Sequence, residues 1–165
     1  MAGEGGGEDR GVAGAGLLDL DRYVPGLLTF VANKLARSAT AQYQREFGVS
    51  VTVWRIMSLL AIEPGIPATR ICHVIGFDKG PVSRTLAGME EDGLIAGRDD
   101  PNDARRRLIS LTSSGRILHD RIIPVALERE RRLLACLTKE QRADLIVTLH
   151  LLHANVAATA GPGPD

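Results

Sequence analysis

Phe77-Asp78-Lys79-Gly80-Pro81-Val82-Ser83-Arg84-Thr85-Leu86-Ala87-Gly88-Met89-Glu90-Glu91-Asp92-Gly93 holds the start, the periodicity and the stop of one helix. Asp78 is a good N-cap, because its carboxylate can accept from backbone amides one turn on. Pro81 falls in the first turn, where its missing N–H has no intrahelical partner to lose. Gly93 stands where a helix commonly ends in a left-handed residue. Between these stops Val82, Leu86 and Met89 recur at i, i+4 and i+7, a narrow apolar stripe that needs a core. Lys79, Ser83, Arg84 and Thr85 crowd the other face near its start. Polar donors at the N-terminal end of a helix suit insertion into a DNA major groove.

The flanks extend this reading. Ala68 to Gly76 is a short helical pattern closed by glycine, so two helices meet across a tight turn over 67–92. Downstream, Leu94–Arg98 and Arg107–Leu111 alternate as short strands, and Asp99 to Arg106 is a turn-rich tip ending in arginines. A helix pair followed by such a hairpin makes a winged helix over about 51–112, with its wing at 94–111. The helix reads base edges while wing arginines reach phosphate or the minor groove.

From about Leu20 to Ala157 the chain resembles the MarR (multiple antibiotic resistance regulator) family of transcription factors. The resemblance is carried by Trp54-Arg55-Ile56-Met57, by Asp78-Lys79-Gly80-Pro81-Val82-Ser83-Arg84, and by Leu86, Met89, Glu90, Gly93, Leu94 and Ile95. Asp100-Pro101-Asn102-Asp103-Ala104-Arg105-Arg106 and Leu111-Thr112 with Gly115 complete it. Their order and spacing are specific together. The resemblance implies a homodimeric winged-helix DNA-binding regulator released from its operator by a small molecule. It also implies that Asp103 braces the wing arginine.

The whole chain sets bounds. Its 165 residues are enough for one globular domain with a substantial core, and the 44% hydrophobic share excludes disorder throughout. With aromatics at 4%, that core is mostly aliphatic. The formal net charge is zero, which argues against strong non-specific nucleic-acid binding, yet Lys79, Arg84, Arg98, Arg105, Arg106 and Arg107 gather in the proposed reading head. No apolar run approaches the roughly 18 residues of a membrane span. The Gly-rich, acidic start lacks a signal-peptide h-region, so a soluble, cytoplasmic protein is expected, with both cysteines reduced.

Along the chain, residues 1–16 hold seven glycines and few apolar residues and read as a disordered arm. Leu20 to Phe47 is helical, with Tyr23, Leu27 and Phe30 on one line and Leu28, Val31 and Leu35 beside it; Pro25 belongs to its first turn or leaves a kink. Thr52 to Ala61 follows, with Val53, Ile56, Met57 and Leu60 inward and Trp54 as an aromatic anchor. Glu63 to Pro67 breaks the chain. Thr112 or Ser113 caps a long helix reaching about Leu137, bent at Pro124. Thr138 and Gln141 fit a capping box for the last helix, whose stripe is Leu145, Ile146, Leu149, Leu152 and Val156. Residues 159–165 read as an unstructured tail, leaving 17–158 as the folded domain. Apolar helices at 20–47 and 113–158 cannot all be covered within one protomer, and look like an intertwined dimer interface.

The fold expected is therefore mainly α with a small β-wing, a winged helix-turn-helix lobe whose terminal helices form a homodimer. Ser83 and Arg84 are the candidates for base contact, with Thr85 beside them, and Arg can be bidentate to guanine. Lys79 and Gly80 suit phosphate, the glycine by allowing close approach. Arg105 and Arg106 suit the minor groove or phosphate, and Asp103 pins the tip by a salt bridge. Arg70 is either a phosphate contact or a surface arginine, and Arg107 points either way. Cys72 reads as a small core residue, His150 and His153 lack the companions a metal needs, and no cofactor or catalytic constellation is present. The partners expected are double-stranded DNA, a second copy of the chain and a small aromatic or phenolic effector; no pocket residue is assignable from periodicity. The zero net charge keeps a second reading open, a winged-helix interaction module that antagonises another regulator. A ligand carrier without DNA function is a third.

Overall fold

A computed structural model describes residues 17–159. The expected disordered arm, and the expected tail beyond Thr159, lie outside them. Two compact units divide between Val51 and Thr52.

In the first unit, Asp19 organises a turn by accepting from the amides of Arg22 (3.1 Å) and Tyr23 (2.9 Å) through its carbonyl and from Asp21 through its carboxylate. Helix α1 then runs Val24–Phe47. It begins at Val24 rather than Leu20, because the turn precedes it and Pro25 occupies its first turn. It ends at Gly48, whose φ of 73° a residue with a side chain rarely adopts. Leu27, Leu28, Phe30 and Val31 are exposed in the single chain.

The second unit contains helix α2 (Val51–Ile62, from Thr52 on), strand β1 (Ile66–Pro67), helices α3 (Ala68–Ile75) and α4 (Lys79–Glu91), strands β2 (Ile95–Asp100) and β3 (Asp103–Leu111), and helices α5 (Ser113–Leu133) and α6 (Lys139–Asn155). The sheet has order β1-β3-β2, antiparallel throughout. A two-stranded wing was expected. The third strand is the segment read as a chain break, where Ile66 pairs with Ile109 and Pro67 with Leu108. Two residues ending in proline carry no period-2 signal, so sequence alone gives this strand no mark.

The core lies between α2, the helix pair and the sheet. Ile56, Met57, Leu60, Ile71 and Val82 are fully buried, with Met89, Ile95 and Ile109 packed among them. Each such side chain contributes about 1.5–3 kcal/mol by leaving water. Trp54 stacks on His119 with ring centroids 5.3 Å apart and planes 21° from parallel, which ties α2 to α5. The Arg55 guanidinium lies 5.7 Å from the centre of the Phe77 ring, tying α2 to the turn before α4.

Helix α5 continues through Pro124 but stops at Leu133, short of the expected Leu137; Leu134–Cys136 tighten into a 3₁₀ turn. Thr138 and Gln141 form both bonds of the capping box at the start of α6. Thr159, expected in the unstructured tail, closes a 3₁₀ turn, Val156–Thr159. Cys72 is half-buried against the core and Cys136 is exposed. No helix among the described residues is long and apolar enough to cross a membrane.

One junction fixes the end of α4. Leu94 N–H donates to Met89 O (2.8 Å) and Gly93 N–H to Glu90 O (3.0 Å), the paired bonds of a Schellman stop. Thr112 closes it from the other side, its amide donating to Leu94 O (3.0 Å) and its hydroxyl to Gly93 O (2.6 Å). The same hydroxyl caps α5 by accepting from Gly115 N–H. Gly115 is pressed onto Leu94, where a Cβ would lie 2.9 Å from the carbonyl carbon and nearer still to its oxygen. Gly115→Ala must therefore move backbone, and is expected to cost about 1–3 kcal/mol in urea unfolding. Ser114→Ala, on the exposed neighbour, should stay within about 0.5 kcal/mol of the parent.

Candidate nucleic-acid interface

Helix α4 buries Val82, Leu86 and Met89 and leaves Lys79, Gly80, Ser83 and Arg84 exposed. The stripe read from the sequence thus fixes which side faces out. Thr85 is half-buried and its hydroxyl donates to Pro81 O (3.0 Å), so its proton is already committed. Asp78 occupies the N-cap in extended geometry but its side chain makes no capping bond, contrary to expectation. Its backbone carbonyl accepts the first helical bond, from Val82 (3.3 Å). The first-turn amides of Lys79 and Gly80 are therefore left without that carboxylate, at the positive end of the helix dipole.

The two wing strands, 95–100 and 103–111, are longer than the expected 94–98 and 107–111, and the tip between them is shorter than the expected 99–106. Strand pairing persists to Asp100 opposite Asp103, with a bulge between Asp99 and Asp100, and Pro101-Asn102 alone turn the chain. Two aspartates hold this turn: Asp100 Oδ1 accepts from Asn102 N–H (2.9 Å) and Asp103 Oδ1 from Arg105 N–H (3.0 Å). Asp103 thus fixes the backbone of the arginine and makes no salt bridge with a guanidinium among the described residues. The ionic partner in the tip is Asp100, 4.0 Å from Arg106 Nε. Arg105 is exposed and has no carboxylate partner among the described residues.

A groove of about 500 Å³ is lined by Thr69 of α3, by Ser83 and Ala87 of α4, and by Arg105 and Arg106 of the wing. It brings Ser83 together with the two wing arginines. Lys79, Gly80, Arg84 and Thr85 lie outside it, along the helix.

Two further arginines, Arg70 and Arg107, are engaged within the lobe. Arg70 grips Glu63 through two bonds of 3.0 and 2.9 Å, an intramolecular ion pair rather than a free cation. These bonds hold the Glu63 carboxyl below its usual range, so the pair is intact at neutral pH and opens only as pH falls through that lowered value. Arg107 forms a fork with Glu90 of α4, at 3.0 and 2.5 Å. In the sequence Glu90 entered only as part of the family resemblance, with no role assigned, and Gly97, which Arg107 crosses, was not singled out. A lone glycine inside a strand was the available signal, since it often marks close approach of another group.

The MarR family model matches residues 47–106, from the last residue of α1 through α4 and most of the wing. A solved MarR/EmrR family transcriptional regulator from Acinetobacter sp. ADP1 is 30% identical and superposes with a TM-score of 0.81, covering 86% of this chain and all of that one. The chain belongs to the MarR family. It is a transcriptional regulator and not an enzyme. The transcriptional regulator HosA of Escherichia coli O111:H- is 28% identical over 110 residues, 66% of this chain and 82% of that protein. The homoprotocatechuate degradative operon repressor of Escherichia coli is 29% identical over 126 residues, 74% and 83% respectively.

The tip geometry gives a direct check on this MarR-family wing. Asp103→Ala removes the acceptor of the Arg105 amide, a bond contributing about 0.5–1.5 kcal/mol. Exchange of that amide, followed by NMR, should speed up by roughly two- to tenfold, while amides in the core strands keep their rates.

Proposed function

We propose that the protein is a repressor that binds a pseudo-palindromic DNA operator as a homodimer and is released by a small aromatic or phenolic ligand. The observation that carries the DNA reading is the division of α4, with Val82, Leu86 and Met89 in the core and Lys79, Ser83 and Arg84 facing out beside a wing that exposes Arg105. Ser83 and Arg84 read base edges in the major groove. Lys79 and the first-turn amides take phosphate, with Gly80 open to close approach, since nothing lies within 4 Å of where its Cβ would be. Arg105 and Arg106 follow the strand that passes the groove.

The dimer is supported by apolar surface that the single chain leaves in water. Leu27, Leu28, Phe30 and Val31 of α1, and Leu145, Ile146, Leu149 and Leu152 of α6, are all more than a third exposed. Folded monomers rarely leave so many large apolar side chains uncovered on adjoining turns. Two-fold symmetry then sets half-sites about 34–36 Å apart. Repression, and an aromatic effector, are supported by the relative that represses the homoprotocatechuate degradative operon.

The test is fluorescence anisotropy with the duplex upstream of the protein's own gene and a scrambled duplex, at two salt concentrations. A marked, salt-sensitive preference for the native duplex is expected. Arg84→Ala should lower that preference about 5- to 150-fold, the equivalent of about 1–3 kcal/mol. Arg105→Ala should weaken both duplexes alike and reduce the salt slope by about 1. Equal or absent binding to the two duplexes at both salts would sink the reading for this operator and favour a protein partner. In sedimentation, Leu149→Arg should shift a dimer toward monomer; a parent chain that already sediments as monomer would rule the dimer out.

A further inference from the structure

The one arginine of the wing held by the helix points to a device that sets the reading head. In the register of the sheet, Gly97 lies opposite Ile109 and Asp99 opposite Arg107, so these four residues share one face. Ile95 and Ile109 make the buried root of that face, and Arg107 stands further out, diagonal to Gly97. Its guanidinium lies back across Gly97. A Cβ there would come 2.7 Å from Cζ and 2.9 Å from Cδ of Arg107, and closer still to Nε. The missing side chain is what opens the path to Glu90 on α4.

We infer that Arg107 is a positioning residue for DNA binding, clasped to Glu90 across Gly97 so that the wing carrying Arg105 and Arg106 is held at a fixed reach from Ser83 and Arg84. The inference rests on the regulator reading above. Glu90 and Arg107 line the same groove as Ser83, Arg105 and Arg106. A bidentate fork fixes orientation as well as distance, which a single contact between exposed groups does not. Both side chains are about half exposed, so the pair adds little to global stability. Its effect lies in where the outer wing is held, since among the described side chains of that strand none beyond Ile109 toward the tip is buried.

Arg107 as a clasp and Arg107 as a phosphate contact predict opposite results when Glu90 is removed. Anisotropy with the operator duplex is measured for Glu90→Ala, Arg107→Ala and the exchanged pair Glu90→Arg/Arg107→Glu, which keeps the net charge. The clasp predicts that each single variant weakens binding roughly five- to tenfold, as expected for one charge-assisted contact of about 1 kcal/mol or more. The exchanged pair should return to within about twofold of the parent, and thermal midpoints should barely move. Tighter binding by Glu90→Ala, or an exchanged pair weaker than both single variants, would overturn it, because freed or removed Arg107 would then be acting on DNA directly. A readout without DNA runs in parallel: trypsin cleavage after Arg105 and Arg106 should quicken in Glu90→Ala and return to the parental rate in the exchanged pair. Equal rates in all three would show that no clasp holds the wing. A parent chain that prefers no duplex overturns the regulator reading, and the trypsin comparison alone then decides the clasp.

Discussion

The junction at Gly93-Leu94 is the constraint on which the reading lobe depends. Three elements meet there: the end of α4, the entry to β2 and the start of α5. The last carbonyls of α4 are taken up by the amides of Asp92, Gly93 and Leu94, and the Gly93 and Leu94 carbonyls just past the helix by Thr112, one through its hydroxyl and one through its amide. The same residue begins α5 by capping Gly115. A left-handed glycine, a threonine and a second glycine thus set the angle at which helix, wing and long helix leave one point. The exposed face of α4 gains nothing from burial, so its aim has to come from this end and from its single apolar stripe. Local chemistry at the stop does the work that packing does elsewhere.

Much of this was legible in the sequence because it rests on short-range rules. Gly76 and Gly93, the Val82-Leu86-Met89 stripe and the Thr138–Gln141 box each act within one or two turns of helix, where residue type and spacing suffice. What was not legible depends on which residues meet across the fold. The strand at Ile66-Pro67 exists because β3 offers it an edge, not because two residues prefer extended backbone. Asp78 reads as a side-chain cap by type, yet only its carbonyl is used. Asp103 was read as the partner of a wing arginine's side chain, yet it holds a backbone amide, and it is Asp100 that faces a guanidinium. Arg107 was undecided because its partner is seventeen positions away on another element.

The apolar residues left on α1 and α6 change how stability should be thought of. On the dimer reading, the single chain with these faces exposed is not at the lowest free energy its sequence can reach. Folding and association are linked on that reading, and the population of competent protein depends on its concentration. Low expression would then leave the chain both less paired and less folded.

The pairing of arginines with carboxylates has one more consequence. Arg70, Arg106 and Arg107 each face an acid within the lobe, so the head presents far less free positive charge than its arginine count suggests. Attraction to arbitrary duplex scales with the phosphates a protein neutralises. A molecule built this way spends little time parked on the bulk of a chromosome. On the regulator reading, it exchanges that residence, and the sliding that shortens a search, for a larger share of copies free in solution, ready to meet a target site.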